Sequence, residues 1–275
     1  MVGVTDLMKQ QLITALFTLG LVIWTGAAQA VDCAAVRERF QCDASTKYPL
    51  HLSFDDGPAQ QTTDVLKVLK KEKIPATFFA IARKVDCPEI AKRCQAEQHD
   101  SNVCIQRMTE CKQRRKILRQ IKQAGHMIGS HSYAHLHYSQ VDAAARRADF
   151  KRSRQVLSPY FTTKIPLFRL PYGDGWFNRA ERPEILKDLQ ALGFRHIAWA
   201  FSAFDWNKDN QRGDKILANV LSEVCKRKQG GIVLFHDGVE EQLHEGRLFT
   251  TTHLQDWVPS MRCVVDFKPL SFFEH

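Results

Sequence analysis

Apolar and β-branched residues gather in short runs along the chain: Leu50–Phe54, Ile74–Ile81, His126–Ser130, Leu167–Leu170, His196–Phe201 and Ile232–Phe235. Runs that are continuous rather than alternating are expected of parallel strands buried on both faces. Between them the pattern turns helical, over about Thr62–Glu72, Arg114–Ala124, Val141–Leu157, Pro183–Leu192 and Asp214–Lys228. A last helix near His253–Val264 precedes a short Phe267–Phe273 run. Strands alternating with helices predict βαβ units on a parallel sheet. No Pro-, Gly- or Ser-rich linker and no internal repeat divides them, so the units predict one α/β domain of barrel type.

Composition narrows the class. Of 275 residues, 44% are hydrophobic, 25% charged and 10% aromatic, which excludes disordered, collagen-like and low-complexity chains. The formal net charge of +9 suits an acidic polymer or surface as partner without requiring one. Residues 1–30 read as a secretory signal: Lys9 supplies the positive flank, Leu12–Trp24 the apolar stretch, and Ala28-Gln29-Ala30 a small-x-small cleavage site. That stretch is interrupted by Thr14, Thr18 and Gly20 and is short for a membrane span of about 20 residues. Export to a periplasm or the cell exterior leaves residues 31–275 as a single domain. All eight Cys lie beyond Ala30, so export turns them from candidate metal ligands into candidate disulfides.

The segment 87–119 departs from the alternation. It is polar, strongly charged and holds half the cysteines, spaced Cys87-x6-Cys94 and Cys104-x6-Cys111. Residues seven apart share one helix face. Two such helices folded back around Gln95–Val103 pair Cys87 with Cys111 and Cys94 with Cys104, one of three pairings open to these four. A structural zinc site competes with this α-helical hairpin, but thiolate ligands usually come in short Cys-x2-Cys knuckles. For the remainder, Cys33 and Cys42 close a short loop and Cys225 pairs with Cys263.

Catalytic groups of an α/β barrel belong at the C-terminal ends of its strands. The first strand ends in Phe54-Asp55-Asp56-Gly57-Pro58, where a turn at Gly57-Pro58 lets one carboxylate face a metal and the other a water. After the third strand, His131 and His135 at i and i+4 are expected on one side of a helical turn, able to close on one ion. Arg169 precedes the rigid turn Leu170-Pro171-Tyr172-Gly173, Asp205-Trp206 sets a carboxylate beside an indole, and Leu234-Phe235-His236-Asp237 puts an imidazole just past a buried strand. Taken singly, each has an ordinary explanation, such as an Asp-rich turn or a surface His pair. Five of them in chain order, each at a strand end, form a pattern.

That pattern resembles the polysaccharide deacetylases with a NodB-homology domain, carbohydrate esterase family four, over about Leu50 to Phe273. The resemblance implies a distorted (β/α) barrel with fewer than eight strands, here carrying the Cys-rich α-helical hairpin as an insertion. It implies a divalent metal, usually zinc, on Asp56, His131 and His135. Asp55 then matches the general base, Arg169 the cation that orients it, His236 the general acid and Asp205 the carboxylate that tunes it. The Tyr172 backbone N–H matches the oxyanion donor, and Trp206 and Leu234 the packing around the acetyl methyl. One departure is Ser202, where many relatives carry an Asp. The hairpin, outside the minimal pattern, either walls the substrate groove or docks a partner, or else is a stapled surface decoration.

The implied reaction is hydrolysis of N-acetyl groups on an extracellular polysaccharide. A basic, exported chain favours N-acetylglucosamine in peptidoglycan, whose peptides bear carboxylates. Chitin oligosaccharides and acetylated xylan are the alternatives within the family, and a metal hydrolase of small amides is another. A sugar-binding module without turnover is the alternative of another class. Neither a nucleic-acid partner nor a stable membrane span is expected after signal cleavage.

Overall fold

The computed structural model describes residues 31–97, 100–175, 179–239 and 248–273. The expected signal segment, residues 1–30, lies outside them. Strands β1 (Tyr48–Asp55), β2 (Ala76–Ala80), β3 (Met127–Ser130), β4 (Leu167–Phe168), β5 (Arg195–His196), β6 (Phe201–Ser202) and β7 (Gly231–His236) form a parallel sheet in the order β5-β4-β3-β2-β1-β7-β6. An eighth strand, β8 (Val265–Phe267), lies beside the start of β1. Helices α1 (Cys33–Arg39), α2 (Thr62–Glu72), α3 (Cys87–Ala96), α4 (Ser101–Gln123), α5 (Ala143–Leu157), α6 (Arg182–Ala191), α7 (Lys215–Arg227) and α8 (Leu248–Val264) complete it.

Side chains alternate along β1. Leu50, Leu52 and Phe54 enter the main apolar core with Val65, Leu69, Val220, Val224, Phe235 and Trp257. His51, Ser53 and Asp55 occupy the alternate positions, which face the concave side. Arg169, fully buried, donates to Ser53 Oγ at 2.7 Å and Asp55 Oδ1 at 2.9 Å, with its guanidinium 4.1 Å from the Phe79 ring centroid. In a flat sheet the strands β4 and β1, three spacings apart, would lie about 14 Å from each other, beyond one arginine's reach. The sheet is therefore curled into a distorted barrel, as expected.

The expected strand His196–Phe201 is a correction. It divides into β5 and β6, which belong to opposite edges of the sheet. Ile197 N donates to Phe168 O on the β4 side, whereas Ala200 N donates to Ile232 O on the β7 side, both at 2.8 Å. The chain steps across the open seam of the barrel between these residues, so an apolar run that reads as one strand serves two.

The hairpin has the expected antiparallel disulfides, Cys87–Cys111 and Cys94–Cys104, each with Cα atoms 5.7 Å apart. Its second helix is not separate from the crossover that follows. Residues Ser101–Gln123 run as one helix whose last turns bury Ile117, Leu118 and Ile121. The other four cysteines pair as Cys33–Cys263 and Cys42–Cys225, with Cα atoms 5.0 and 4.7 Å apart, which overturns the expected Cys33–Cys42 and Cys225–Cys263 pairs. Helix α1 starts at Cys33 and ends at Arg39, three residues before Cys42, and its rise of about 10 Å stands between them. That exceeds the roughly 7 Å limit between bridged Cα atoms. Each thiol reaches α8 or α7 instead.

Candidate active site

At the C-terminal ends of the strands, Asp55 on β1 is the register partner of His236 on β7. Asp56 adopts a left-handed backbone, φ 68°, and the Gly57–Pro58 bond that follows is cis. The reversal brings the second carboxylate to the same end as the first. Asp56 Oδ1 lies 3.4 Å from His131 Nε2 and 3.1 Å from His135 Nε2, while Asp55 Oδ2 is 3.7 Å from His131 Nε2. Gly57 is required for packing: a Cβ there would fall 2.5 Å from Asp237 Oδ2.

The two imidazoles do not sit on a helical turn as their spacing suggested. Ser132 and His135 are left-handed, φ 77° and 58°. Asp149 of α5 organises the loop by accepting from the backbone N–H of Tyr133 and of Ala134, both at 2.9 Å, and from the Tyr138 hydroxyl at 2.6 Å. Ser132 Oγ accepts from His135 N at 2.6 Å. An external carboxylate takes the amide protons that a helix would otherwise use, and the rings end with centroids 5.0 Å apart.

The donor set fits a divalent ion. Ligand atoms of Asp56, His131 and His135, all buried, lie within 4.8 Å of one another. His131 Nδ1 donates to Arg169 O at 2.9 Å, which leaves the Nε2 lone pair facing the carboxylates. Burial pushes the His131 pKa down to about 3, with the Asp55 charge opposing, so the ring is neutral and its lone pair is open to an ion. A nitrogen and oxygen set of this kind suits zinc and its divalent neighbours.

A second unit faces it. His236 Nδ1 pairs with Asp205 Oδ1 at 2.6 Å, and Asp205 Oδ2 accepts from His236 N at 2.8 Å and the Thr250 hydroxyl at 2.7 Å. Burial disfavours a charged imidazole here, but the charge and hydrogen bond of Asp205, with Asp55 and Asp237 behind it, outweigh burial and raise the His236 pKa. Arg169, deeply buried and opposite in charge to Asp55, fixes that carboxylate from below. Tyr172 is left-handed, φ 57°, and its ring meets His135 at 4.5 Å and stacks on His137 at 3.6 Å between centroids. Leu234 is buried on β7 opposite Ser202, and Trp206 is half-exposed at the rim. Ser202 takes no part in holding Asp205; its Oγ accepts from Phe204 N, and Thr250 serves Asp205 instead.

Several supporting residues were not legible in the sequence. Asp149 and Thr250 lie inside helices with no local mark. Lys84, buried, donates to Asp56 O at 2.7 Å and Val239 O at 2.5 Å, tying the Asp loop to the segment after β7. Asp237 accepts from the Thr62 hydroxyl at 2.5 Å, and burial pushes its pKa up to about 7. Only Asp237, next to His236, carried a signal.

Comparison with known proteins agrees with this geometry. The chain is 28% identical over 207 residues to a chitooligosaccharide deacetylase of Bradyrhizobium sp., covering 74% of this chain and 77% of the relative. It is 27% identical over 194 residues to a peptidoglycan-N-acetylglucosamine deacetylase of Bacillus cereus, covering 68% of this chain and 59% of that longer protein. The carbohydrate esterase family 4 domain of a multidomain xylanase from the hindgut metagenome of Trinervitermes trinervoides shares the fold, with a TM-score of 0.58 at 21% identity over 83% of this chain and 91% of that one. The polysaccharide deacetylase family profile matches residues 43–197, from the Asp motif through the His loop to the strand beyond Arg169, and the chain belongs to the polysaccharide deacetylase family.

Proposed function

We propose that this protein removes acetyl groups from N-acetylglucosamine units of an exported polysaccharide, peptidoglycan first among them. The observation that carries the reading is Asp55: one oxygen is held by Arg169, the other approaches the Asp56–His131–His135 cluster, and its register partner is the Asp205-backed His236. Asp56, His131 and His135 would hold a divalent ion, zinc in this reading. Such an ion supplies Lewis acidity that polarises the acetyl carbonyl and eases deprotonation of water.

The chain's own groups do the rest. Asp55, with Oδ1 engaged by Arg169, accepts the proton of the attacking water on Oδ2. The Tyr172 backbone N–H donates to the developing oxyanion, a contribution of roughly 3–4 kcal/mol to the barrier for such a donor. Trp206 and Leu234 enclose the acetyl methyl. His236 gives its proton to the sugar nitrogen, because an amide nitrogen leaves only as the amine. Asp205 keeps the ring oriented and protonated until that step.

The basic chain and the expected export signal at residues 1–30 support a peptidoglycan substrate. All eight cysteines are in disulfides, as suits an oxidising compartment, and no helix among the described residues is long and apolar enough to cross a membrane. Chitin oligosaccharides are the second reading, favoured by the likeness to the Bradyrhizobium chitooligosaccharide deacetylase. The test is acetate release from peptidoglycan, chitin oligomers and acetylated xylan in parallel, with metal content measured on the same sample. Acetate from peptidoglycan is expected. Acetate from chitin oligomers alone moves the protein to the second reading, and none from any substrate, with metal bound, makes it a binding module.

A further inference from the structure

We infer that the outward face of α4 is a docking surface for the carboxylates of peptidoglycan peptides, holding the polymer beside the active end of the barrel. The inference rests on the proposed peptidoglycan substrate and names where that polymer is gripped. Its basis is the placement of charge. Between Ser101 and Leu157, the span of α4, β3 and α5, stand twelve Lys and Arg against three Asp and Glu. That excess equals the formal net charge of the whole chain, +9, so the rest of the molecule is balanced.

Part of the excess is used inside the fold. Arg146 and Arg147 hold Asp188 of α6, Arg152 holds Asp86, and Arg114 pairs with Glu110. Lys112, Lys116 and Arg119 are exposed and have no carboxylate partner among the described residues. They follow one another at i, i+4 and i+7, away from the buried Cys111, Ile117, Leu118 and Ile121, and rise about 10 Å along the helix. Like charges at these spacings repel one another and weaken a helix. Such a row is expected where an outside anion offsets the repulsion. Lys122, near the end of α4, donates to Pro159 O and Phe161 O just past α5, both at 3.2 Å. The two helices therefore end side by side, and the exposed Lys151 of α5 adds to the same field.

The row begins close to the candidate site. Lys112 follows Cys111, whose disulfide partner Cys87 follows Asp86, and Asp86 accepts from the Tyr133 hydroxyl of the His loop at 3.2 Å. Just before the hairpin, the backbone N–H groups of Ala82 and Arg83 donate to Ser132 O and Tyr133 O at 3.0 and 3.1 Å. A polymer held on α4 thus lies near the loop that carries His131 and His135. The hairpin disulfides fix the helix that bears the row to α3. The connection at the hairpin tip carries Glu97 and Asp100, which an anionic membrane repels. A carboxylate polymer lying along the side of α4 meets only the cations.

The probe is purified peptidoglycan sedimented with the protein, either native or with its carboxylates amidated. Wild type is compared with Lys112→Gln/Lys116→Gln/Arg119→Gln and with Lys47→Gln/Lys187→Gln/Lys226→Gln, which removes the same charge from exposed positions elsewhere. At low salt the first variant should raise the dissociation constant for native peptidoglycan about tenfold, the scale of three exposed ion pairs, and the second should stay within about twofold. The difference should shrink at high salt and vanish on the amidated polymer. Both variants should keep the wild-type thermal midpoint, and Lys112→Arg/Lys116→Arg/Arg119→Lys should bind as wild type. Equal losses in the two Gln variants would assign binding to overall charge and overturn the inference. So would an α4 loss that persists on amidated polymer, wild type that does not sediment with peptidoglycan, or an effect seen on phosphatidylglycerol vesicles and not on peptidoglycan. Acetate release is read separately: if wild type releases none, the proposed activity fails, and the docking surface stands or falls on sedimentation alone.

Discussion

Asp55 and Asp56 are adjacent in the chain and occupy different chemical positions because the backbone turns left-handed at the second. Strand alternation would have sent them to opposite faces. Asp55 keeps the concave orientation set by β1 and meets Arg169; Asp56 swings toward the imidazoles. Asp55→Asn should therefore cut turnover at least ~10²-fold with the ion still held, as should His236→Ala, measured as acetate release beside metal content. Near-normal turnover in either variant removes that residue from the mechanism. Asp205 raises the His236 pKa, and in the proposed reaction the ring acts in its protonated form, so activity should fall as pH rises through that raised value. Asp205→Asn lowers the pKa, and the alkaline limb of the kcat profile should move to lower pH. A limb that stays in place would mean that another group controls it.

Helices were the most legible elements. The expected Thr62–Glu72 span is the observed α2, and α5, α6 and α7 differ from expectation by only a few terminal residues. Periodic burial sets these spans, and it is written locally. The split at residues 197–200 was not legible, because hydrophobicity reports burial and not which edge of a curled sheet a residue joins. The clustering at the candidate site was legible wherever a residue sits at or just past a strand end, which covers Asp55, Asp56, His131, His135, Arg169, Asp205 and His236. Asp149 was hidden because it acts from mid-helix on a loop that precedes it. Asp149→Ala removes three hydrogen bonds from the His loop and should weaken metal binding 10–100-fold, read by competition with a chelator. Unchanged affinity would show that the loop holds its shape alone.

His51 is the pH-sensitive joint of the sheet. Its Nδ1 donates to Lys268 O and its Nε2 accepts from Thr77 Oγ1, each at 2.8 Å, linking β1 to β2 and to the segment after β8. Burial lowers its pKa from 6.5 to about 4, so the unfolded chain binds the proton more readily than the folded one. Its contribution is whole above pH 6.5 and is lost as pH falls toward 4, on the order of 3 kcal/mol. Denaturant titrations across that range should show the decline, and His51→Gln should flatten it. An equal slope in the variant assigns the decline to other groups.

At the scale of the whole molecule, the outer disulfides join α1 and the turn after it to α8 and α7, across sequence separations of 230 and 183 residues. Loops of that length restrict the unfolded chain most. Replacing Cys33 and Cys263 together by Ser should cost about 2–5 kcal/mol in chemical denaturation while leaving kcat unaltered, since neither residue touches the site. Loss of activity in the folded double variant would show that the bridge also shapes the active end. The bridge of Cys94 and Cys104 spans a separation of only 10 residues, and its removal should cost less.

The four bonds are nested, each enclosing the next: 33 with 263, 42 with 225, 87 with 111 and 94 with 104. A chain that meets an oxidant from its N-terminus onward presents Cys33 with Cys42 first, then Cys87 with Cys94, then Cys104 with Cys111. None of those couples occurs in the folded protein, so whatever makes this molecule must be good at undoing bonds as well as making them. Supplying a disulfide isomerase should raise the yield of native protein more than extra oxidant does.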